Sequence, residues 1–186
     1  MTTMSDTKPH IIQIVGYKNT GKTTLSAALI GHFSSMGLKV AAIKHDGHDH
    51  FEMDQEGTDS YRFGESGASA VVIMSEKRTA IMERQATKLE DMLSHLSGYD
   101  WIVIEGFKDA SYPKFVMVRE EEDLTLIDQL EGVVGMISWL PSEQFIERST
   151  VSRDITWYSV HETEDIAKAL LSMVESNCRQ NREFES

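Results

Sequence analysis

Six short apolar runs, separated by segments of helical periodicity, set the strongest limit on how this 186-residue chain can fold. They read IIQIV (Ile11 to Val15), KVAAIK (Lys39 to Lys44), ASAVVIM (Ala68 to Met74), WIVIEG (Trp101 to Gly106), KFVMVR (Lys114 to Arg119) and VVGMIS (Val133 to Ser138). Apolar character that is continuous rather than alternating describes strands covered on both faces, and such strands belong to parallel sheets. The covers are visible between them. Leu25, Ala28, Leu29, Phe33 and Met36 share one helical face, which Gly37 ends. Leu89, Met92, Leu93 and Leu96 form a stripe that stops near Gly98, and Ile166, Leu170 and Met173 form another after the strand candidate TWYSV (Thr156 to Val160). Thr58 is placed to cap a short helix through DSYRFGESG. The expectation is an α/β domain with a mostly parallel sheet flanked by helices on both faces. It would span residues 1–186 as one unit, with 1–9 and 177–186 as flexible tails. Sheets of this kind bind ligands beyond the carboxyl ends of their strands. The polar loops after IIQIV, KVAAIK and WIVIE are therefore expected to meet at one edge.

Composition narrows the function classes. The net charge of -12 argues against broad affinity for nucleic acid or anionic membrane, which asks for a basic face. No apolar run approaches the roughly 20 residues of a membrane span, and the start, MTTMSDTKPH, has no secretory pattern. The single cysteine, Cys178, excludes an internal disulfide and suits a reducing compartment. These features describe a soluble cytoplasmic protein.

Directly after the first strand stands GYKNTGKT, Gly16 to Thr23, which matches G-x-x-x-x-G-K-[ST], the Walker A phosphate-binding pattern. The spacing has a chemical reason. Gly16 lets the chain turn sharply off the strand, and Gly21 lets backbone N–H groups approach phosphate oxygens with no Cβ in the way. Lys22 brings an ammonium to the β- and γ-phosphates, Thr23 offers a hydroxyl to Mg²⁺, and the new helix adds free N–H groups and a positive dipole. Tyr17, Lys18, Asn19, Thr20 and Thr24 complete the cradle. Some related ATPases carry a lysine directly after the first glycine that reaches a partner's nucleotide. Here Tyr17 takes that place and the lysine follows one residue later, so Lys18 reads as solvated or close to the phosphates.

An acid at the end of a neighbouring strand normally serves the nucleotide's Mg²⁺. Glu105, closing WIVIE, is the first candidate, with Gly106 leaving room beside it. Asp46, just after AAIK, is the second: it would touch Mg²⁺ or position water, or be a plain loop acid. The run HDGHDH places His45, His48 and His50 among Asp46 and Asp49, a set that could bind a transition metal. Its spacing is not that of a structural zinc site, and these groups could instead face a ligand's phosphate or pterin. No N-K-x-D segment selects guanine, so these motifs leave GTP and ATP unseparated.

Taken together, GYKNTGKTTL, AAIKHDGH, DSYRFGESGA and WIVIEGFKDASYPK resemble the MobB family, the molybdopterin-guanine dinucleotide biosynthesis adapter proteins. The resemblance runs from about Ile11 to Ser138. It implies a P-loop NTPase-like fold and a GTP-binding homodimer with Mg²⁺ and weak GTP hydrolysis. It also implies a partnership with the molybdopterin guanylyltransferase and with proteins that mature molybdopterin-dependent enzymes. By the family's motifs, Tyr17 to Thr24 would hold phosphates and Thr23 and Glu105 would serve Mg²⁺. Lys44, His45, Asp46 and His48 would fall in the loop facing the nucleotide. Asp59 and Arg62 also match, where a helix cap and an internal salt bridge explain them nearly as well. Two positions depart from the pattern. Many relatives have serine where Lys18 stands. Many also read S-D-x-P at the last core strand, where this chain has SWLP with Trp139 replacing the acid, so any part that acid plays in reading the base is missing here.

Two competing readings have distinct signatures. In a GTP-dependent metal-insertion chaperone, His45, His48 and His50 would carry the metal. A small-molecule kinase would need an arginine-bearing lid, and the central region is poor in arginine.

Overall fold

The computed structural model describes residues 8–47, 51–141 and 155–183, with side chains described as far as 174. Residues 1–7 and 184–186 of the expected tails, and His48, Asp49 and His50 of the His/Asp run, lie outside the described residues. The chain divides into two compact units, one built from residues up to His45 and from Leu96 onward, the other from Asp46–His95.

The first unit is a six-stranded parallel sheet. Its strands are β1 (His10–Val15), β2 (Val40–Lys44), β5 (Trp101–Glu105), β6 (Lys114–Val118), β7 (Val133–Ser138) and β8 (Thr156–Ser159). They lie in the order β2-β5-β1-β6-β7-β8, every neighbouring pair parallel. Parallel register brings the ends of β1, β2 and β5 to the same edge: Lys44 pairs with Glu105, and Glu105 with Ile14. The expected meeting of the loops therefore holds for the turns that leave these strands.

Strand residues alternate between two apolar layers. Ile12, Ile14, Phe115, Met117 and Ile137 pack with Leu25, Leu29 and Phe33 of α1 (Lys22–Ser35) and Ile166, Ala167 and Leu170 of α5 (Thr163–Glu183). Val15, Val116, Val118 and Met136 face Leu126 and Ile127 of α4 (Thr125–Gln129) on the opposite side. The α1 stripe is narrower than its sequence pattern: Leu25, Leu29 and Phe33, four residues apart, are buried, while Ala28 and Met36 are exposed. The acidic EEEDL, read as a separator, forms a 3₁₀ turn (Glu121–Leu124) that leads into α4.

In the second unit, Thr58 caps α2 (Asp59–Glu65), its hydroxyl accepting from the Tyr61 N–H at 3.2 Å. Arg62 and Asp59 form an exposed i,i+3 pair at 3.8 Å. ASAVVIM does not join the parallel sheet: β3 (Ala70–Met74) pairs antiparallel with β4 (Thr79–Glu83) in a hairpin whose Val72, Ile73, Met74 and Ile81 are exposed. Its apolar run matched a doubly covered strand, and the SEKR turn that folds it back onto TAIME carried the contrary signal. The short helix α3 (Leu89–His95) follows.

Candidate nucleotide-phosphate site

The turn from β1 to α1 is shaped by backbone conformations that few residues accept. Gly16 has φ +156°, and an added Cβ would lie 2.8 Å from Thr20 Oγ1 and 3.0 Å from Met117 Cβ. Asn19 (φ 65°) and Gly21 (φ +96°) are left-handed, and Gly21 stands as the helix N-cap. Donors hold the outward carbonyls of this turn. Tyr17 O accepts from Thr20 Oγ1 at 3.0 Å and from Lys22 Nζ at 2.5 Å. Arg119 donates to Asn19 O (2.7 Å), and the Trp139 indole N–H donates to Thr20 O (2.8 Å). With its carbonyls engaged, the turn keeps its N–H groups for a ligand. The first intrahelical bond runs from Leu25 N–H to Gly21 O (3.0 Å), so the N–H groups of Lys22, Thr23 and Thr24 are those a helix start leaves free. This is an anion cradle.

Beside it, Thr23, Lys44 and Glu105 converge. The Thr23 hydroxyl donates to Glu105 Oε1 at 2.9 Å; Lys44 Nζ lies 2.7 Å from the same oxygen and 3.2 Å from Thr23 Oγ1. Glu105 is nearly buried, and the ammonium neutralises it. A hydroxyl and a carboxylate oxygen side by side, next to a phosphate cradle, form the hard-oxygen half-shell that Mg²⁺ takes when phosphates and water supply the rest. The donor set fits that ion, with Lys44 holding the position of a counter-cation.

The positive field is local to this edge. Burial holds the Lys22 ammonium below its ordinary pKa; Glu105 opposes the shift, while Lys108 and Lys44 add to it by like charge. Lys108 sits 4.2 Å over the Tyr17 ring, a cation–π contact. Within a chain of net charge -12, these cations gather where an anionic ligand would arrive.

The turn after β5 is built with equal care. Gly106 (φ +95°) and Phe107 (φ 52°) are both left-handed. Gln13, fully buried in β1, donates its side-chain amide to Gly106 O (2.6 Å) and to Phe107 O. Lys114, also buried, donates to Ala110 O (2.6 Å) and Lys108 O (3.3 Å), and burial lowers its pKa against the pull of Glu131 and Asp109. The main chain at Arg119 is held by Asp123, whose carboxylate accepts from the backbone N–H groups of Arg119 (2.7 Å) and Glu120 (3.1 Å).

Of the sequence candidates, Gly16, Tyr17, Asn19, Thr20, Gly21, Lys22, Thr23, Thr24, Lys44, His45, Glu105 and Gly106 all lie at this edge of the first unit. Lys18 is an exposed member of the turn. Gly106 leaves room for His45 rather than for a ligand, because its added Cβ would meet His45 Cβ at 2.8 Å. The His45 ring packs on Phe107, with centroids 4.5 Å apart. Asp46 opens the second unit. Among the described residues no group of three or more His, Cys, Asp or Glu could hold a metal ion. Gln13, Lys108, Lys114 and Arg119 were missed as site builders. A glutamine inside an apolar strand and a lysine opening another were the available signals.

Residues 11–139 match the family model MobB, molybdopterin guanine dinucleotide synthesis protein B. The chain is 32% identical over 139 residues to the molybdopterin-guanine dinucleotide biosynthesis adapter protein of Haemophilus influenzae, covering 72% of this chain and 76% of that one. A Methanocaldococcus jannaschii protein provisionally assigned the same role is 39% identical over 130 residues, 67% of this chain; the matched part spans 53% of that relative's length. Among solved structures, Bacillus subtilis MobB superposes with a TM-score of 0.71 at 27% identity, covering 88% of this chain and 96% of that one.

Proposed function

Because the chain belongs to the MobB family, we propose that it is a GTP-binding adapter protein in molybdopterin-guanine dinucleotide biosynthesis, with weak GTPase activity. The observation that carries this reading is the convergence of Thr23 Oγ1 and Glu105 Oε1, 2.9 Å apart, beside the carbonyl-braced turn Gly16 to Gly21. The backbone of Tyr17 to Thr24 and the Lys22 ammonium hold the triphosphate, and Thr23 and Glu105 hold Mg²⁺. When bound, the ion supplies charge neutralisation between the phosphates. Lys44 and His45 stand at the same sheet edge beside the cradle, where they would meet the nucleotide's phosphates. Turnover is slow, so the bound nucleotide matters more than its cleavage.

The working partner is the molybdopterin guanylyltransferase, to which the chain presents guanine nucleotide in the cytoplasm. Proteins that mature molybdopterin-dependent enzymes are its further partners. A homodimer is supported by the exposed apolar hairpin face of Val72, Met74 and Ile81, a kind of patch that soluble proteins normally cover. No described helix is long and apolar enough to cross a membrane. The test is to add the chain to the guanylyltransferase at limiting GTP. The wild type is expected to raise the yield of guanine dinucleotide and Lys22→Ala to abolish the gain; a wild type without effect overturns the role.

A further inference from the structure

The segment that joins β5 to β6, residues 106–113, is held more firmly than a surface turn requires. In the sheet β1 lies between those two strands, so the segment passes across β1 close to where the cradle begins. Two consecutive residues, Gly106 (φ +95°) and Phe107 (φ 52°), take the left-handed conformation, which is strained for phenylalanine. Phe107 O accepts from Ala110 N–H at 2.9 Å, so Lys108 and Asp109 are the central residues of a tight turn.

Two buried side chains hold four carbonyls of this segment. Gln13 donates to Gly106 O (2.6 Å) and to Phe107 O; Lys114 donates to Ala110 O (2.6 Å) and Lys108 O (3.3 Å). Gln13 and Lys114 are 0% and 1% exposed. Burying an amide and an ammonium is unfavourable, and carbonyls of a surface turn can bond to water instead. What these contacts fix is the course of the main chain at Lys108. Its side chain returns over the cradle. The ammonium lies 4.2 Å from the centroid of the Tyr17 ring and, among the described residues, pairs with no carboxylate. Lys108 is half-buried, unlike the exposed Lys18. Lys22 Nζ donates to Tyr17 O at 2.5 Å, and Lys108 acts on the Lys22 ammonium by like charge. Two cations thus approach each other at Tyr17, a repulsion that a polyanion between them would relieve.

We propose that Lys108 is a specificity-determining residue of this site: its ammonium moves from the Tyr17 ring to the terminal phosphate of the nucleotide and makes the cradle prefer nucleoside triphosphates to diphosphates. The enclosing backbone of Gly16 to Thr23 serves the phosphates inside the turn. A cation brought in by a different connection meets the phosphate that projects beyond it, which also carries the most charge. The inference rests on the nucleotide-binding reading above, and its test separates the two.

The full chain is titrated with GTP or GDP in the presence of Mg²⁺, by calorimetry. The wild type is expected to bind GTP more tightly than GDP. Lys108→Met should weaken GTP about 10- to 150-fold, the range for loss of one charge-assisted hydrogen bond, and GDP by less than about threefold. Lys108→Arg, which keeps the charge, should retain most of the preference. Lys39→Met removes the same charge from an exposed position before β2, at the amino end of the sheet, and should leave both affinities unchanged. Equal weakening of GTP and GDP by Lys108→Met would make Lys108 a rim charge or a brace for Tyr17 and overturn the assignment. Unchanged GTP affinity in that variant, or a wild type that binds GDP as tightly as GTP, would overturn it as well. A wild-type chain that binds neither overturns the nucleotide reading itself.

Discussion

Gly106→Ala concentrates two independent costs at one position. The backbone there has φ +95°, and the new methyl would sit 2.8 Å from His45 Cβ, well inside a carbon–carbon contact. A non-glycine residue in this conformation costs roughly 1–2 kcal/mol, and forcing an extra carbon into an occupied space costs about 1–3 kcal/mol. The neighbours have little room to yield. His45 N–H is bonded to Glu105 O at 2.9 Å and Gly106 N–H to Ile14 O at 3.0 Å, so moving either disturbs the ladder that positions Glu105. The sum is about 2–5 kcal/mol, which in a chain of this size lowers Tm by about 4–20 °C. Gly98→Ala is the matched control: its Cβ would meet nothing within 4 Å and its φ is not positive, so it should be neutral or slightly stabilising. Differential scanning calorimetry of the two variants decides the matter. A Gly106→Ala protein melting with the wild type would refute the packing argument, and with it the view that Gly106 serves His45.

Three further outcomes follow from the same edge. Gln13→Glu places a carboxyl group where an amide donates to two carbonyls; ionised and buried it should cost several kcal/mol, on the order of 3–5. Burial favours the protonated acid in the folded state, so the loss should grow as pH rises above the ordinary glutamate range and shrink in acid, read by urea melts across pH. Lys44→Met removes the ammonium that neutralises Glu105. Because Lys44 is well exposed, the cost should be only about 1 kcal/mol, and Mg²⁺ should then raise the Tm of the variant more than that of the wild type. Finally, Lys22 titrates below the ordinary lysine value of 10.5, chiefly through burial. The unfolded chain binds more protons in that window, so rising pH slightly favours folding while it removes the cation that binds phosphate. Affinity for Mg²⁺ and inorganic tripolyphosphate, which carries no titrating base, should begin to fall below pH 10.5; a flat profile up to that value contradicts the shift.

Much of the first unit was legible because its signals are local. Five continuous apolar runs became parallel strands within a residue of their expected bounds, and the glycine–lysine–threonine spacing describes a turn whose geometry depends on few distant contacts. Three things were not legible, each for a physical reason. The run from Ala70 to Met74 has the composition of a buried parallel strand, and only its pairing with Thr79–Glu83 makes it a hairpin. The roles of Arg119 and Trp139 arise from strands 100 or more residues from the carbonyls they hold, a distance that spacing rules do not cross. Gln13 and Lys114 look like polar interruptions of a core until the turn after Glu105 is seen to need donors. The candidate site is thus a local motif finished by non-local braces.

The account's central claim is that the turn from Gly16 to Thr24 is a cradle for a nucleotide's phosphates. Calorimetric titration of Mg²⁺ and GTP into the wild type and into Lys22→Ala tests it most directly. The account predicts one nucleotide per chain for the wild type, a Mg²⁺-dependent affinity, and loss of at least about tenfold in the variant, a charge-assisted contact being worth roughly 1.5–3 kcal/mol. The melting temperature should change little, since Lys22 sits at the half-exposed helix start. A variant that binds GTP as tightly as the wild type, with the same Mg²⁺ dependence, would contradict it.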